Sequence, residues 1–206
     1  MESKFKTGPI QSVDGAVNPG RSDKQGSAVV TQAHGAYAKA SIRKNLYFSY
    51  CAARATSAPA TSQIGNIVWN PPGSGVNLSM LLWSAQIQVT SATTLGITIG
   101  YSAQATTPTT TTVADASGCC YLDAASPSSG KAKAYAIGTI VVAPTPVMNL
   151  FHNTAAIAIT GVDQMSGDFE GLFTIPPGYL VALSAITAAV AASGMTSTLT
   201  WEEIPI

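Results

Sequence analysis

NIVWNPPGSGVNLSMLLWSAQIQVTSATTLGITIGYSAQ spans residues 66–104, and how its apolar residues are spaced decides the fold class. Asn70-Pro71-Pro72-Gly73-Ser74-Gly75 is a dense turn signal between two apolar runs. Proline presets one backbone angle there and glycine permits the left-handed region. After the turn, Leu78, Met80 and Leu82 share one register, while Ile87 and Val89 fall in the other. A β-bulge or burial on both faces accounts for such a switch. Leu95, Ile97 and Ile99 then alternate with Gly96, Thr98 and Gly100, a clean period of two. The stretch therefore predicts strands joined by turns.

The same signals extend in both directions. Upstream, AYAKASIRKNLYFSYCA carries Tyr37, Ile42, Leu46, Phe48 and Tyr50, an aromatic and β-branched enrichment that favours strand. Arg54 to Gly65 is mostly Ala, Ser, Thr and Pro and reads as a linker or long loop. Downstream, Thr106–Ser117 and Ala124–Gly130 read as loops. Ala134–Val142 reads as a strand ended by Pro144 and Pro146. Leu150–Thr160, with Ile157 and Ile159, suggests another strand. Phe169–Ile175 and Tyr179–Thr187 read as strands around the tight turn Pro176-Pro177-Gly178. Ser197–Ile204 closes the chain with Leu199, Trp201 and Glu203 on one face. No long amphipathic helix and no repeat of fixed period is visible. Short strands spaced by Gly/Pro turns predict an all-β, antiparallel β-sandwich over residues 27–206, of jelly-roll type.

Composition narrows the function. Of 206 residues, 10% are charged and 46% hydrophobic, and the formal net charge is +0. A soluble coiled coil would be more charged, and a wholly disordered chain less apolar. No overall cationic excess exists to hold nucleic acid. The longest apolar stretch, Tyr179–Ala192, falls short of the roughly 20 residues a spanning helix needs, so it reads as buried strand and no membrane partner is expected. MESKFKTGPIQSVDG has no apolar run after its basic residues, so no secretory signal is expected. Cys51, Cys119 and Cys120 offer no CxxC spacing, and an adjacent pair is poorly placed for a mutual disulfide. They read as small thiols in a protein folded in a reducing cytoplasm.

The residues offer little for catalysis. His34 and His152 are the only imidazoles, and no GxSxG elbow occurs. Asp163, Asp168 and Glu170 cluster in GVDQMSGDFEG, but the D-x-[DN]-x-[DN]-G calcium pattern is absent, so a solvated loop is expected. Gly73-Ser74-Gly75 lacks the lysine and helix of a phosphate loop. Trp69, Trp83 and Trp201 could stack on sugars, but each lies in a strand-like run and reads as core. One of Glu202 and Glu203 is expected to face solvent, the other a partner or a backbone donor. No catalytic residue, cofactor or metal is expected, and the chain reads as a non-enzyme.

Charge is unevenly placed. Residues 1–54 hold eight basic and three acidic residues, a balance of +5. Residues 55–206 hold Lys131 and Lys133 against seven carboxylates, a balance of −5. Residues 1–26, rich in Gly and Pro, form an extended N-terminal arm with too few large apolar side chains to fold alone. Lys4, Phe5, Lys6, Arg21 and Lys24 are its candidate docking residues, suited to an acidic neighbour.

Three segments carry a resemblance. They are Trp69-Asn70-Pro71-Pro72-Gly73-Ser74-Gly75-Val76-Asn77-Leu78, Ile175-Pro176-Pro177-Gly178-Tyr179, and Thr200-Trp201-Glu202-Glu203-Ile204-Pro205. The turn leading into an Ala-rich strand, and the final Trp-Glu-Glu strand, are similar to bacteriophage virion structural proteins, the small jelly-roll proteins that decorate heads or tails. The resemblance covers about a fifth of the chain and carries no catalytic residues. It implies a homotrimer located in the virion and assembled in the host cytoplasm. The leading expectation is a capsid decoration, or cement, protein binding the major capsid protein or another virion protein. Alternatives are a tail or fibre component, as adaptor or receptor-binding head, and a carbohydrate-binding module.

Overall fold

A computed structural model describes residues 46–55, 58–87, 96–109, 117–121, 130–152, 163–186 and 194–206. All lie in the second of the two units into which the chain divides, Ala40–Ile206. The arm, residues 1–26, and the start of the expected domain lie outside the described residues.

The described residues are all-β, with no helix. The strands are β1 Leu46–Ala55, β2 Ser62–Asn70, β3 Val76–Ile87, β4 Gly96–Ala103, β5 Ser117–Tyr121, β6 Lys133–Thr139, β7 Thr145–His152, β8 Asp163–Asp168, β9 Thr174–Ile175, β10 Tyr179–Ala185 and β11 Gly194–Pro205. They form two sheets, every pairing antiparallel. One is six-stranded, in the order β5-β1-β11-β3-β8, with β9 also on β3. The other is five-stranded, in the order β6-β2-β10-β4-β7.

One apolar core draws on both sheets. Tyr47, Leu78, Met80, Leu199 and Trp201 come from the first sheet, and Val68, Ile97, Ile99, Val181 and Leu183 from the second. Tyr47 stacks on Trp201 at 6.2 Å between ring centroids. Within this core, buried Asn66 donates to the carbonyls of Ser49 and Ser197, and its Oδ1 accepts from Ser49 Oγ at 2.7 Å. A polar side chain thereby ties β2 to two strands of the facing sheet, and its own burial is compensated.

The register switch in β3 is a bulge. Thr200 of β11 faces Leu82, but Trp201 faces Met80, so Leu81 is the extra residue. Inward positions are Val76, Leu78 and Met80 before it and Trp83 and Ala85 after it. The bulge also divides the neighbouring edge. β8 pairs Leu82–Ile87, β9 pairs Leu78–Ser79, and the turn between them bonds the bulge itself. Phe169 N–H donates to Leu81 O and Gly171 N–H to Met80 O.

Four expectations change. The linker Arg54–Gly65 contracts, because β2 already begins at Ser62, where the backbone pairs with β6 despite its small side chains. Phe169–Ile175 is not one strand. Its first five residues form the turn beside the bulge, and only Thr174–Ile175 pairs. The acidic stretch is not a loop. Asp163–Asp168 is an edge strand, with Met165 half-buried against the core and Gln164, Ser166 and Asp168 exposed. Pro146 does not end a strand but sits inside β7, an outer strand, at an irregularity in its pairing with β4. An edge position tolerates a residue without an N–H. The short strand β5, Ser117–Tyr121, was not anticipated.

Candidate functional site

The candidate docking residues Lys4, Phe5, Lys6, Arg21 and Lys24 lie outside the described residues, as does His34. His152 ends β7. Trp69, Trp83 and Trp201 are buried in core, so they form no exposed sugar platform. Cys51 is buried and packs with Ala134 and Ala136.

The three motif segments meet at one end of the sheets. Tyr179 pairs with Asn70, Ile175 with Leu78, and Glu203 with Leu78 on its other side. Asn70, fully buried, is the hub. Its Nδ2 donates to Val76 O at 2.8 Å and to Ile175 O at 3.0 Å, and its own carbonyl accepts from Gly178 N–H at 2.8 Å. Both Pro-Gly turns therefore hang on one amide. Gly73, Gly75 and Gly178 adopt φ of 73°, 74° and 83°, the left-handed region that the turns require.

Glu203 supplies the second fixture. Its carboxylate is buried and accepts from Lys131 N–H and Ala132 N–H, both at 3.0 Å. The expectation that one of the two terminal glutamates meets a backbone donor is met here, and Glu202 is half-buried on the other face. A Cβ on Gly130 would lie 2.6 Å from Glu203 Oε1 and 3.0 Å from the Tyr47 ring, so glycine lets the chain pass close over both. Held this way, exposed Lys131 and Lys133 line a shallow groove with Pro71, Pro72, Gly73 and Ser74. The phosphate-loop comparison lacked a lysine in the sequence; the fold brings two lysines beside that turn.

On the other side of this end lies an aromatic groove. Tyr101, Tyr179, Leu172, Phe173 and Pro176 line it, and Leu172 is 69% exposed. Phe169 and Phe173 meet edge-to-face at 5.2 Å and anchor the turn beneath Leu172. At that turn, Glu170 adopts φ 48° and its N–H donates to Asp168 Oδ1 at 2.7 Å.

The outer face of the six-stranded sheet carries few charges and is hollowed between β11, β3 and β8, where Leu82, Ser84, Ser166, Asp168, Thr198 and Thr200 line a cavity. One row crosses Tyr50, Thr198, Ser84 and Ser166; the next crosses Phe48, Thr200, Leu82 and Asp168. Small hydroxyl side chains stand beside Tyr50, Phe48 and Leu82 on adjacent strands, so the face offers both hydrogen-bonding groups and apolar area.

The sequence offers Asn70 only as part of a turn motif and Glu203 only as one of two candidates for a backbone donor, and it does not show the Lys131–Lys133 groove. Spacing held a clue: two cations at i and i+2 entering a strand project to the same side. Among the described residues no group of three or more His, Cys, Asp or Glu is placed to hold a metal, and no helix is long and apolar enough to cross a membrane. No family model, curated protein or solved structure matches the chain.

Proposed function

We propose that this protein is a virion structural protein, a capsid decoration or cement protein, built as a jelly-roll sandwich that works as a homotrimer and binds the major capsid protein. The observation that carries the reading is the strand order. β1-β11-β3-β8 opposes β2-β10-β4-β7, and the chain changes sheet at nearly every connection. Two Greek keys wound together produce this order, as in the jelly rolls of viral shells. β5 and β6 then extend both sheets on one side as an insertion. The hydroxyl-rich face and the apolar rim at Leu172, Tyr101 and Tyr179 are surfaces for area burial against other subunits. In this reading the basic arm, with Lys4, Lys6, Arg21 and Lys24, docks on an acidic neighbour within the particle.

The test compares particles assembled with and without this chain. Cement predicts many copies per particle and a lower temperature of shell disruption in its absence. Equal heat resistance of the two particles overturns the role.

A second reading, a receptor-binding head on a tail or fibre, is favoured by exposed Tyr101 and Tyr179 flanking one groove. Aromatic faces of this kind bind sugars. It predicts a few copies per particle, and glycan binding lost on Tyr101→Ala.

A further inference from the structure

The exposed charged side chains of the described residues lie on opposite edges, while buried Glu203 lies beside the lysines and half-buried Glu202 in the central strand β11. β6 is the outer strand of one sheet and β8 the outer strand of the other, and Cys51 of β1 packs on Ala134 and Ala136, which sets β6 on the β1 side. Lys131 and Lys133, the only basic residues of 55–206, stand exposed at the β6 edge. Asp168 and Glu170 stand exposed at the β8 edge.

Both pairs sit on constrained backbone. The Glu203 carboxylate holds the N–H groups of Lys131 and Ala132. Buried Phe169, between the two acids, bonds Leu81 O at 2.6 Å. Across a five-strand width the edges are about 19 Å apart, four spacings of about 4.8 Å. That exceeds the Debye length of about 8 Å at physiological salt, so the two edges do not neutralise each other within one chain. A two-fold contact through either edge would set like charges face to face. A head-to-tail contact sets opposite charges together, and such contacts close into rings when the rotation permits.

We propose that copies of this chain associate head to tail, with the Lys131–Lys133 edge of one copy against the Asp168–Glu170 edge of the next. This rests on the homotrimer of the proposed function and names the surfaces that close it. The contact is steered by charge and weakens with salt.

The experiment measures the mass of the full-length protein by light scattering over a range of concentrations, at low salt and at 1 M salt. Four chains are compared: the unaltered protein, Lys131→Glu with Lys133→Glu, Asp168→Asn with Glu170→Lys, and all four changes together. Asparagine keeps the acceptor for Glu170 N–H, so the turn retains its bond. Each single-edge variant is expected to raise the dissociation constant at low salt about tenfold or more, from the loss and reversal of exposed pairs. The difference shrinks at 1 M salt, where the Debye length is about 3 Å. The four-change variant regains assembly because its edges are again opposite. In a 1:1 mixture of the two single-edge variants unlike chains pair, but alternation cannot close a three-membered ring, so pairs and open assemblies replace the trimer. Single-edge variants that stay trimeric like the unaltered chain overturn the assignment of these edges and leave the trimer standing. A folded four-change variant that fails to assemble also overturns it. An unaltered chain that is monomeric at every concentration overturns this proposal and the homotrimer together, and leaves the particle experiment to judge the cement role.

Discussion

β10 and β11 are both central strands, yet they bury different amounts of themselves. In β10, Leu180, Val181, Ala182 and Leu183 are consecutive and all buried. In β11, Met195, Leu199 and Trp201 are buried, while the intervening Thr196 and Thr198 are half-buried. The cause is a roof over the outer face of the five-stranded sheet. β6 and β7 are its two outer strands, so the chain between them must cross the sheet. That crossing and the segment after β4 lie together over Ile67, Trp69, Leu180 and Ala182, with Ile140 packed among them. Trp69 Nε1 donates to Gln104 O at 2.9 Å, Val141 N–H donates to Gln104 Oε1 at 2.8 Å, and Thr109 bridges to Thr139. The six-stranded sheet keeps an uncovered outer face, mostly Thr, Ser and Gln with Tyr50, Phe48 and Leu82 among them. A continuous apolar run therefore reports a strand covered on both sides, and alternation reports one covered on a single side.

Five substitutions test that contrast. Leu180→Ala on the roofed face should destabilise by about 2–5 kcal/mol, as much as Leu183→Ala in the central core, because both create cavities. Urea unfolding of the two variants checks this, and a Leu180→Ala cost below about 1 kcal/mol would mean the roof does not exclude water. Glu203→Ala leaves the N–H groups of Lys131 and Ala132 without their charged acceptor. A loss of about 1.5–3 kcal/mol is expected, with faster amide exchange at 130–133. Gln104→Ala should cost about 1–2 kcal/mol and speed exchange at 104–109 and 140–142, with β11 unchanged. Thr198→Ala on the open face should stay within about 0.5 kcal/mol. A larger loss there, measured in the assembled state alone, would show that this face is covered by another subunit.

Much of the architecture was legible locally. The turns at Pro71–Gly75 and Pro176–Gly178 are where Pro and Gly place them, because their backbone angles are set by single residues. The bulge is legible as the change of parity between Leu82 and Ile87, with two-sided burial left open beside it; the structure places it earlier, at Leu81, so Leu82 faces outward. The strand Asp163–Asp168 reads as a loop in sequence because its exposed edge carries the polar side chains of a loop. Its strand character comes from pairing with Leu82–Ile87, which lie far away in sequence. β5 was missed for the same reason, as its register is supplied by β1.

The candidate site divides in the same way. The three segments that carry the family resemblance were identified as strings, and what they share in space is Asn70, whose buried amide holds two turns separated by about a hundred residues. The Lys131–Lys133 groove depends on Glu203, a carboxylate over seventy positions further on.

The sequence by itself determined the strand-and-turn alphabet, the apolar faces and the scarcity of charge, because these follow from properties of single residues and of near neighbours. The tertiary structure alone decided which strands pair, which sheet face is roofed, and which edges hold the charges. Those depend on contacts between residues distant in the chain, whose free energy exists only once both partners are in place.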